Sequence, residues 1–195
     1  MVHNGQNFNL LVVIKNLETR ILEHIKEQSY AFWKAPPPGA IKLNVDAATL
    51  RDKAFIAVIA RDYGGSIIKA WAKQTVHLDP TVAEASAIVW ALELAMEEGF
   101  ENIIVESDAK ICVDALNCPI DESPWKIHAL STHSLDLALN FSASACVFLW
   151  VRRDANQMAH ALAKVASSLP LPFSCFCNSL PPSAVEAWTR DLLSL

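Results

Sequence analysis

The sequence predicts an α/β fold in which helices pack on a mixed five-stranded sheet, with three antiparallel strands followed by parallel ones. Three β-rich runs at residues 41–47, 55–60 and 66–72 are joined by short connections, which is typical of an antiparallel meander. Two further runs, 102–107 and 146–151, alternate with stretches of helical periodicity. Strands that alternate with helices usually pair in parallel, because each helix carries the chain back across the sheet.

Four helical stretches are expected among and after these strands. The first begins at Asp79-Pro80-Thr81, since Pro suits the first turn of a helix, and it ends at Gly99. The others are predicted over residues 109–116, 124–140 and 155–166. The elements of the domain therefore follow one another in the order β-β-β-α-β-α-α-β-α.

Terminal segments flank the predicted domain, which spans residues 41–168. Residues 1–34 contain an amphipathic helix over 8–26, whose apolar stripe can pair with a partner or with a second copy of the chain, and then a lead-in. A Pro-rich linker at 35–40 interrupts regular structure and is predicted as the domain boundary. Residues 169–195 are expected to form a Pro- and Ser-rich tail with a short helix.

Composition and charge exclude several classes of protein. With 195 residues, of which 52% are hydrophobic, the chain can form one domain core and does not resemble a disordered protein. A net charge of −5 argues against a non-specific nucleic-acid coating protein, although a carboxylate cluster that binds metal ions adds such charge. The five cysteines lack the spacing of a zinc site, and no run approaches the ~18 apolar residues of a membrane span. We therefore expect an intracellular protein of the nucleus or cytoplasm, with no signal peptide and no transmembrane segment.

Three acidic residues occupy positions where a metal site can form. Asp46 lies on the polar face of the first strand, Glu84 in the first turn of the long helix, and Asp108 at the C-terminal end of the fourth strand. If the first and fourth strands are neighbours, all three carboxylates lie together. Oxygen ligands of this kind select Mg²⁺ or Mn²⁺. Two such ions ~3.5–4 Å apart can activate water and stabilise the leaving oxygen of a phosphodiester.

Each acid also has a structural explanation that the sequence leaves open. Glu84 completes Thr81-Val82-Ala83-Glu84, the pattern of a capping box at a helix start. Asp108 can cap the helix that follows it, and Asp46 can pair with Lys42 on the same face of the strand or with another nearby cation. It is the joint placement of the three acids that favours the metal site.

Four motifs follow one another over about residues 33–168. They are the lead-in Phe32-Trp33-Lys34-Ala35-Pro36-Pro37-Pro38-Gly39 with Ile41-Lys42-Leu43-Asn44-Val45-Asp46-Ala47, then Ala83-Glu84-Ala85, then Val105-Glu106-Ser107-Asp108-Ala109, and finally Val151-Arg152-Arg153-Asp154-Ala155-Asn156 with Ala159-His160-Ala161-Leu162-Ala163. In their order and spacing they resemble the plant reverse-transcriptase-like branch of the type I ribonuclease H family. The resemblance implies a ribonuclease H-like fold.

The resemblance also implies an activity and a set of catalytic, metal-binding residues. The family's carboxylates carry over to Asp46, Glu84 and Asp108, and its fourth carboxylate position falls on His160. In the family these groups bind two Mg²⁺ or Mn²⁺ ions and cleave the RNA strand of an RNA–DNA hybrid, leaving a 3′ hydroxyl. We therefore expect nucleic acid, in the form of such a hybrid, as the partner.

Residues after the last strand are the expected nucleic-acid contacts. Arg152 and Arg153 lead from that strand to the helix that carries His160, and their guanidinium groups suit phosphates. Asn156 follows on the same path and can contact the nucleic-acid backbone or cap the helix.

Three positions depart from the family pattern. Ala47 replaces a Gly that usually follows the first Asp, and Trp150 stands where the family often has His. His160 replaces a carboxylate, and Mg²⁺ accepts nitrogen ligands less well than oxygen. Besides the nuclease, two functions therefore stay open: an inactive nucleic-acid-binding module, and a protein-interaction domain that uses the N-terminal helix.

Overall fold

A computed structural model describes residues 32–141 and 145–194, and it confirms the predicted α/β fold with one additional strand. The strands in these ranges are β1 (Ile41–Leu50), β2 (Lys53–Arg61), β3 (Ile67–Thr75), β4 (Ile103–Ser107), β5 (Cys146–Trp150) and β6 (Phe173–Cys175). The helices are α1 (Pro80–Glu97), α2 (Lys110–Asn117), α3 (His128–Ala138), α4 (Gln157–Val165) and α5 (Pro182–Leu192). The predicted N-terminal helix at 8–26 lies outside the described residues.

The strands form one sheet in the order β5-β4-β1-β2-β3-β6. β1, β2 and β3 are the predicted antiparallel meander, while β4 pairs in parallel with β1 and β5 in parallel with β4. The sheet differs from the predicted five strands by β6, which pairs antiparallel with β3. β6 has only three residues, too few to show a two-residue periodicity in the sequence.

Helices pack on both faces of the sheet. On one face, Ile88 of α1 packs with Val45 of β1 in a buried apolar cluster. On the other face, Met158 of α4 and Ala184 of α5 pack with Ile59 of β2. Because burial of apolar area stabilises a fold by about 25 cal/mol per Å², these two layers hold α1 and α4 firmly against β1.

The third helix begins later than the sequence predicts. Helical periodicity places its start at Pro124, but α3 begins at His128. The intervening residues form a turn in which the Ile127 N–H donates to the Pro124 carbonyl, and Ile127 is fully buried. The residues from Pro124 to Ile127 therefore form a turn, with Ile127 packed in the core, and the helix begins at the next residue.

The polar face of β1 is buried, whereas its alternating pattern predicts a strand that is only half buried. Lys42 is 4% exposed, and Asn44 and Asp46 have no exposed surface. α4 packs directly on this strand, and α5 in turn packs on α4. Lys42 ion-pairs with Glu106 on the neighbouring β4 (Nζ to Oε1, 2.5 Å), which excludes its predicted pairing with Asp46.

Residues from both ends of the described chain complete this buried polar layer. Arg61 on β2 has no exposed surface and pairs with Asp191 of α5, NH1 to Oδ2 at 2.6 Å. Asn44 Oδ1 accepts hydrogen bonds from Arg61 NH2 at 2.8 Å and from Trp33 Nε1 at 2.9 Å. Trp33 precedes the predicted linker and Asp191 lies in the predicted tail, so both segments contact the sheet. The domain boundaries at residues 41 and 168 stay predictions.

The structure also bears on the state of the cysteines and on whether any helix could span a membrane. The five cysteines all carry free thiols. Among the described helices, none combines the length and the apolar character that crossing a bilayer requires.

Candidate metal centre

The pairing of β1 with β4 brings two of the predicted acids together. The two strands are parallel, with Val45 opposite Ser107, so Asp46 in the middle of β1 and Asp108 just after β4 follow these paired residues side by side. Glu84 joins them from the second turn of α1, whereas the sequence predicted the first turn. The carboxylates of Asp46, Glu84 and Asp108 each offer an oxygen, and these oxygens all lie within 4.8 Å of one another.

The start of α1 is capped by a residue other than the predicted capping box. Asp79 is the N-cap, and its Oδ1 accepts hydrogen bonds from the backbone N–H groups of Thr81 at 3.0 Å and Val82 at 3.3 Å. Glu84 is therefore not needed for capping, and its carboxylate is available to the cluster.

Asp108 likewise does not cap the helix that follows it. The N-cap of α2 is Ala109, which makes no side-chain capping bond. The Asp108 carboxylate instead accepts from Arg153 Nε at 2.6 Å and from Asn156 Nδ2 at 3.3 Å. The capping roles that the sequence allowed for Glu84 and Asp108, and the pairing of Asp46 with Lys42, are therefore not observed. The three carboxylates instead lie together in one site.

Burial and mutual repulsion raise the pKa values of two of the acids. Desolvation is the largest cause for both Asp46 and Glu84, and the charges of neighbouring carboxylates add to it. The pKa of Glu84 rises to about 9, while a hydrogen bond with His160 partly opposes the rise for Asp46. A cluster in which the charged forms are disfavoured is one that a bound cation would stabilise.

Several buried oxygens of the site have no hydrogen-bond partner. They include Oδ1 of Asp46 and Oε2 of Glu84, and Oδ1 of Asn156 nearby. An unpartnered buried oxygen costs free energy, unless a cation or water contacts it. An all-oxygen set of this kind fits Mg²⁺ or Mn²⁺ by its chemistry.

His160 on α4 lies against Asp46. Its Nδ1 is 2.9 Å from Asp46 Oδ2, and its side chain is 16% exposed. The three acids form the cluster within 4.8 Å, and His160 stands beside that cluster without belonging to it. A ring nitrogen therefore contacts an oxygen that a cation could otherwise use.

The three predicted nucleic-acid contacts differ in their exposure. Asn156 has no exposed surface, and its Nδ2 also donates to the Val45 carbonyl at 2.8 Å, so it supports the site from within. Arg153 pairs with Asp108 at the surface of the site. Arg152 is exposed and makes no ion pair within the described ranges.

One residue that contacts the site was noted in the sequence only as a departure from the family pattern, with no role predicted for it. Trp150, the last residue of β5, donates from Nε1 to the Asp108 backbone carbonyl at 3.1 Å. This bond holds the turn that carries the Asp108 carboxylate. The available signal was its position, because Trp150 stands where the resembled family often has His.

The fold and the acidic cluster define a ribonuclease H-like protein. A ribonuclease H1 of Halobacterium salinarum matches with a TM-score of 0.60 and 21% identity, over 66% of this chain and 98% of that one. The N-terminal ribonuclease H domain of a Mycobacterium tuberculosis protein matches at 0.59 and 18%, over 66% and 94%. LC11 ribonuclease H1, isolated from compost and solved with an RNA/DNA hybrid, matches at 0.58 and 17%, over 67% and 99%. At these identities the likeness shows the fold alone.

The chain belongs to the reverse transcriptase-like family, whose sequence pattern matches residues 44–166. It is also 26% identical over 163 residues to an Arabidopsis thaliana protein named "Putative ribonuclease H protein At1g65750". That match covers 82% of this chain and 25% of the relative, so the chain spans about a quarter of the relative's length. β6 and α5 begin after the residues that the family pattern covers.

Proposed function

We propose that the protein is a metal-dependent endonuclease that cleaves the RNA strand of RNA–DNA hybrids. The observation that carries the proposal is the convergence of three carboxylates, from β1, α1 and the end of β4, within 4.8 Å. The buried oxygens Asp46 Oδ1 and Glu84 Oε2 add support, because neither has a hydrogen-bond partner among the residues that the structure describes. Membership of the reverse transcriptase-like family, whose pattern spans all three acids, supports phosphodiester chemistry at the same cluster.

Each residue of the site has a distinct part in this proposal. Asp46, Glu84 and Asp108 would hold two Mg²⁺ or Mn²⁺ ions, which in such sites activate a water and stabilise the leaving oxygen. Asn156 orients Asp108 through its amide and fixes the path of β1 through the Val45 carbonyl.

The choice of an RNA–DNA hybrid rests on relatives rather than on a surface of this chain. LC11 ribonuclease H1, which shares the fold, was solved in complex with such a hybrid. The exposed guanidinium groups of Arg152 and Arg153 would contact its phosphates on the rim of the site. These contacts position a strand, and they do not by themselves distinguish RNA from DNA.

A cleavage assay with one matched variant tests the proposal. The full chain should cut the RNA strand of a labelled hybrid with Mg²⁺ or Mn²⁺, and Asp46→Asn should abolish the cutting because a neutral amide binds these ions weakly. Asp114→Asn is the control, since Asp114 is an exposed aspartate that pairs with Lys110 away from the cluster. A wild-type chain that cuts nothing with either ion, over a range of ion concentrations, rules the proposal out.

The contact between His160 and Asp46 favours a second function, an inactive module that binds nucleic acid. The ring nitrogen uses Asp46 Oδ2, and it stands where the resembled family has a carboxylate. Such a module would bind a hybrid or another duplex without cutting it, and salt would weaken the binding as phosphate contacts are lost.

Restoring the fourth carboxylate distinguishes the two functions. If His160 has inactivated the site, His160→Asp should gain cleavage while the wild-type chain only binds. If the wild-type chain is active, the same substitution should change its ion preference without creating an activity that was absent. Failure of the wild-type chain to bind duplexes even at low salt would exclude the inactive module.

A further inference from the structure

Arg153 contacts a carboxylate of the candidate metal centre rather than pointing freely to solvent. Its Nε donates to Asp108 Oδ2 at 2.6 Å, and its side chain is 55% exposed whereas that of Asp108 is 6% exposed. Asp108 shares its cluster with Asp46 and Glu84. The guanidinium therefore lies at the solvent side of the group of oxygens that would hold a divalent cation.

A cation at the cluster and the Arg153 guanidinium compete for the same negative charge. Arg153 cannot respond by losing its proton, because an arginine side chain stays charged in proteins. It can respond by moving, since more than half of its side chain is exposed and, within residues 32–141 and 145–194, a single side-chain hydrogen bond holds it to the site. Asp108 keeps its other contact, from the buried Asn156, when the guanidinium leaves.

A phosphate is the natural second partner for a guanidinium that leaves Asp108. The planar fork of donors matches phosphate and carboxylate oxygens alike. Arg153 follows the end of β5, and its partner Asp108 follows the end of the neighbouring β4. A strand presented to that cluster would therefore bring a phosphate within reach of the side chain.

We infer that Arg153 couples cation binding to nucleic-acid binding. In the cation-free protein it neutralises Asp108, and when a divalent cation takes its place it turns to a phosphate of the bound strand. Coupling of this kind is reciprocal, so the strand favours cation binding as much as the cation favours the strand. The inference rests on the proposed function, which supplies the cation and the strand as its two ligands.

The first test measures cation affinity in the full chain without nucleic acid. Free Mn²⁺ is followed by electron paramagnetic resonance, and Mg²⁺ binding by calorimetry. Arg153→Ala should bind Mn²⁺ about fivefold more tightly, the lower end of typical coupling between sites, because the competing cation is gone. A residue that only stabilised the site, or only touched the substrate, would not raise this affinity.

Two control variants separate competition from a general change in charge. Arg153→Lys keeps the positive charge, and Arg152→Ala removes an exposed charge one residue away that pairs with no carboxylate in the described ranges. Both should stay within about twofold of the wild-type affinity, the effect expected of exposed charges. If Arg153→Ala binds Mn²⁺ no more tightly than Arg152→Ala, the inference is overturned, whether or not the protein cleaves a hybrid.

The second test examines the link to the strand with a duplex that the proposed reaction does not consume. Binding of double-stranded DNA is measured by fluorescence anisotropy with and without Mn²⁺, in the wild-type chain and in Arg153→Ala. Mn²⁺ should strengthen DNA binding more in the wild-type chain. Equal effects in the two proteins, including no effect in either, contradict the coupling. A chain that shows both effects and cuts no hybrid would refute the proposed nuclease and leave the coupling standing.

Discussion

At the scale of single residues, the charge of the acidic cluster depends on what occupies it. Glu84 has a pKa of about 9 without a cation, chiefly through burial and then through the charges of Asp46 and Asp108. Burial also raises the pKa of Asp46, although its hydrogen bond with His160 acts in the opposite direction. At neutral pH and without a cation, Glu84 therefore holds a proton that it loses in the unfolded chain.

This difference predicts that the cation-free protein loses stability as the pH rises. Glu84 ionises near 4.5 when unfolded and near 9 when folded, so its contribution is fully present below pH 4.5 and is lost as the pH rises toward 9. Urea unfolding with a chelator present should show a free energy of unfolding lower by roughly 1 kcal/mol or more at pH 8.5 than at pH 6.

Variants of one acid and addition of a cation check the cause of this slope. Glu84→Gln cannot ionise and should flatten it, whereas Glu101→Gln, at an exposed position, should leave it as it is. Saturating Mg²⁺ should also flatten the slope, because a bound cation favours the ionised carboxylates. Parallel slopes in the wild-type chain and Glu84→Gln would contradict the assignment.

At the scale of elements, the terminal helix α5 belongs to the structure that supports the site. Its Asp191 neutralises Arg61, and Arg61 donates to Asn44, which lies two residues before Asp46 on the same face of β1. Asn44 Nδ2 also donates to Glu106 of β4 at 2.9 Å, so the layer connects the two strands that carry the catalytic acids of the proposal. The last residues of the chain are thus linked to the strand of the candidate metal centre.

Removal of the Asp191 carboxylate should therefore be strongly destabilising. Asp191→Ala leaves the Arg61 guanidinium buried without its partner, and the free energy of unfolding should fall by about 3–5 kcal/mol. Urea unfolding measures this change. Glu186→Ala on the same helix is the control, because its exposed pair with Arg190 should be worth no more than about 1 kcal/mol. Similar losses in the two variants would show that the buried pair is not what matters.

At the scale of the whole molecule, the net charge of −5 has the same sign as the phosphates of a nucleic-acid duplex, so the overall charge of the protein does not attract a duplex. The proposed binding of nucleic acid would therefore depend on local features, namely the carboxylate cluster and the Arg153 guanidinium beside it. The structure divides the chain into residues 1–30 and 31–195, and the site lies wholly in the second unit. The first unit carries the predicted amphipathic helix, for which association with a partner or with a second copy stays a prediction.

Sedimentation of two chains tests the predicted association. The full chain should sediment at a multiple of its monomer mass, because the apolar stripe predicted over 8–26 would be buried between copies, whereas residues 31–195 should sediment at their monomer mass. The shorter chain begins at Ala31 so that it keeps Trp33, which is buried against Asn44. If each chain sediments at its own monomer mass, self-association is contradicted.

The sequence by itself determined the features of this protein that local patterns encode. Alternation over two residues marks β1, short β-rich or apolar runs mark β2 to β5, and a helical stripe with its end signals marks α1 between Asp79 and Gly99. Motif order identified the three acids, because residue types at fixed spacings can be recognised without distances. The position of α3 was the main local error, since packing of Ile127 overrides the helix start that Pro124 suggests.

Only the tertiary structure decided what depends on residues far apart in the chain. It placed β1 beside β4, buried the polar face of β1, and added β6 from a segment too short to show a pattern. It also paired Arg153 with Asp108 and His160 with Asp46, which the linear spacing does not report. The physical reason is that the periodicity of a sequence reflects neighbours along one helix or strand. Ion pairs, burial and pKa values depend instead on elements that come into contact only in the folded protein.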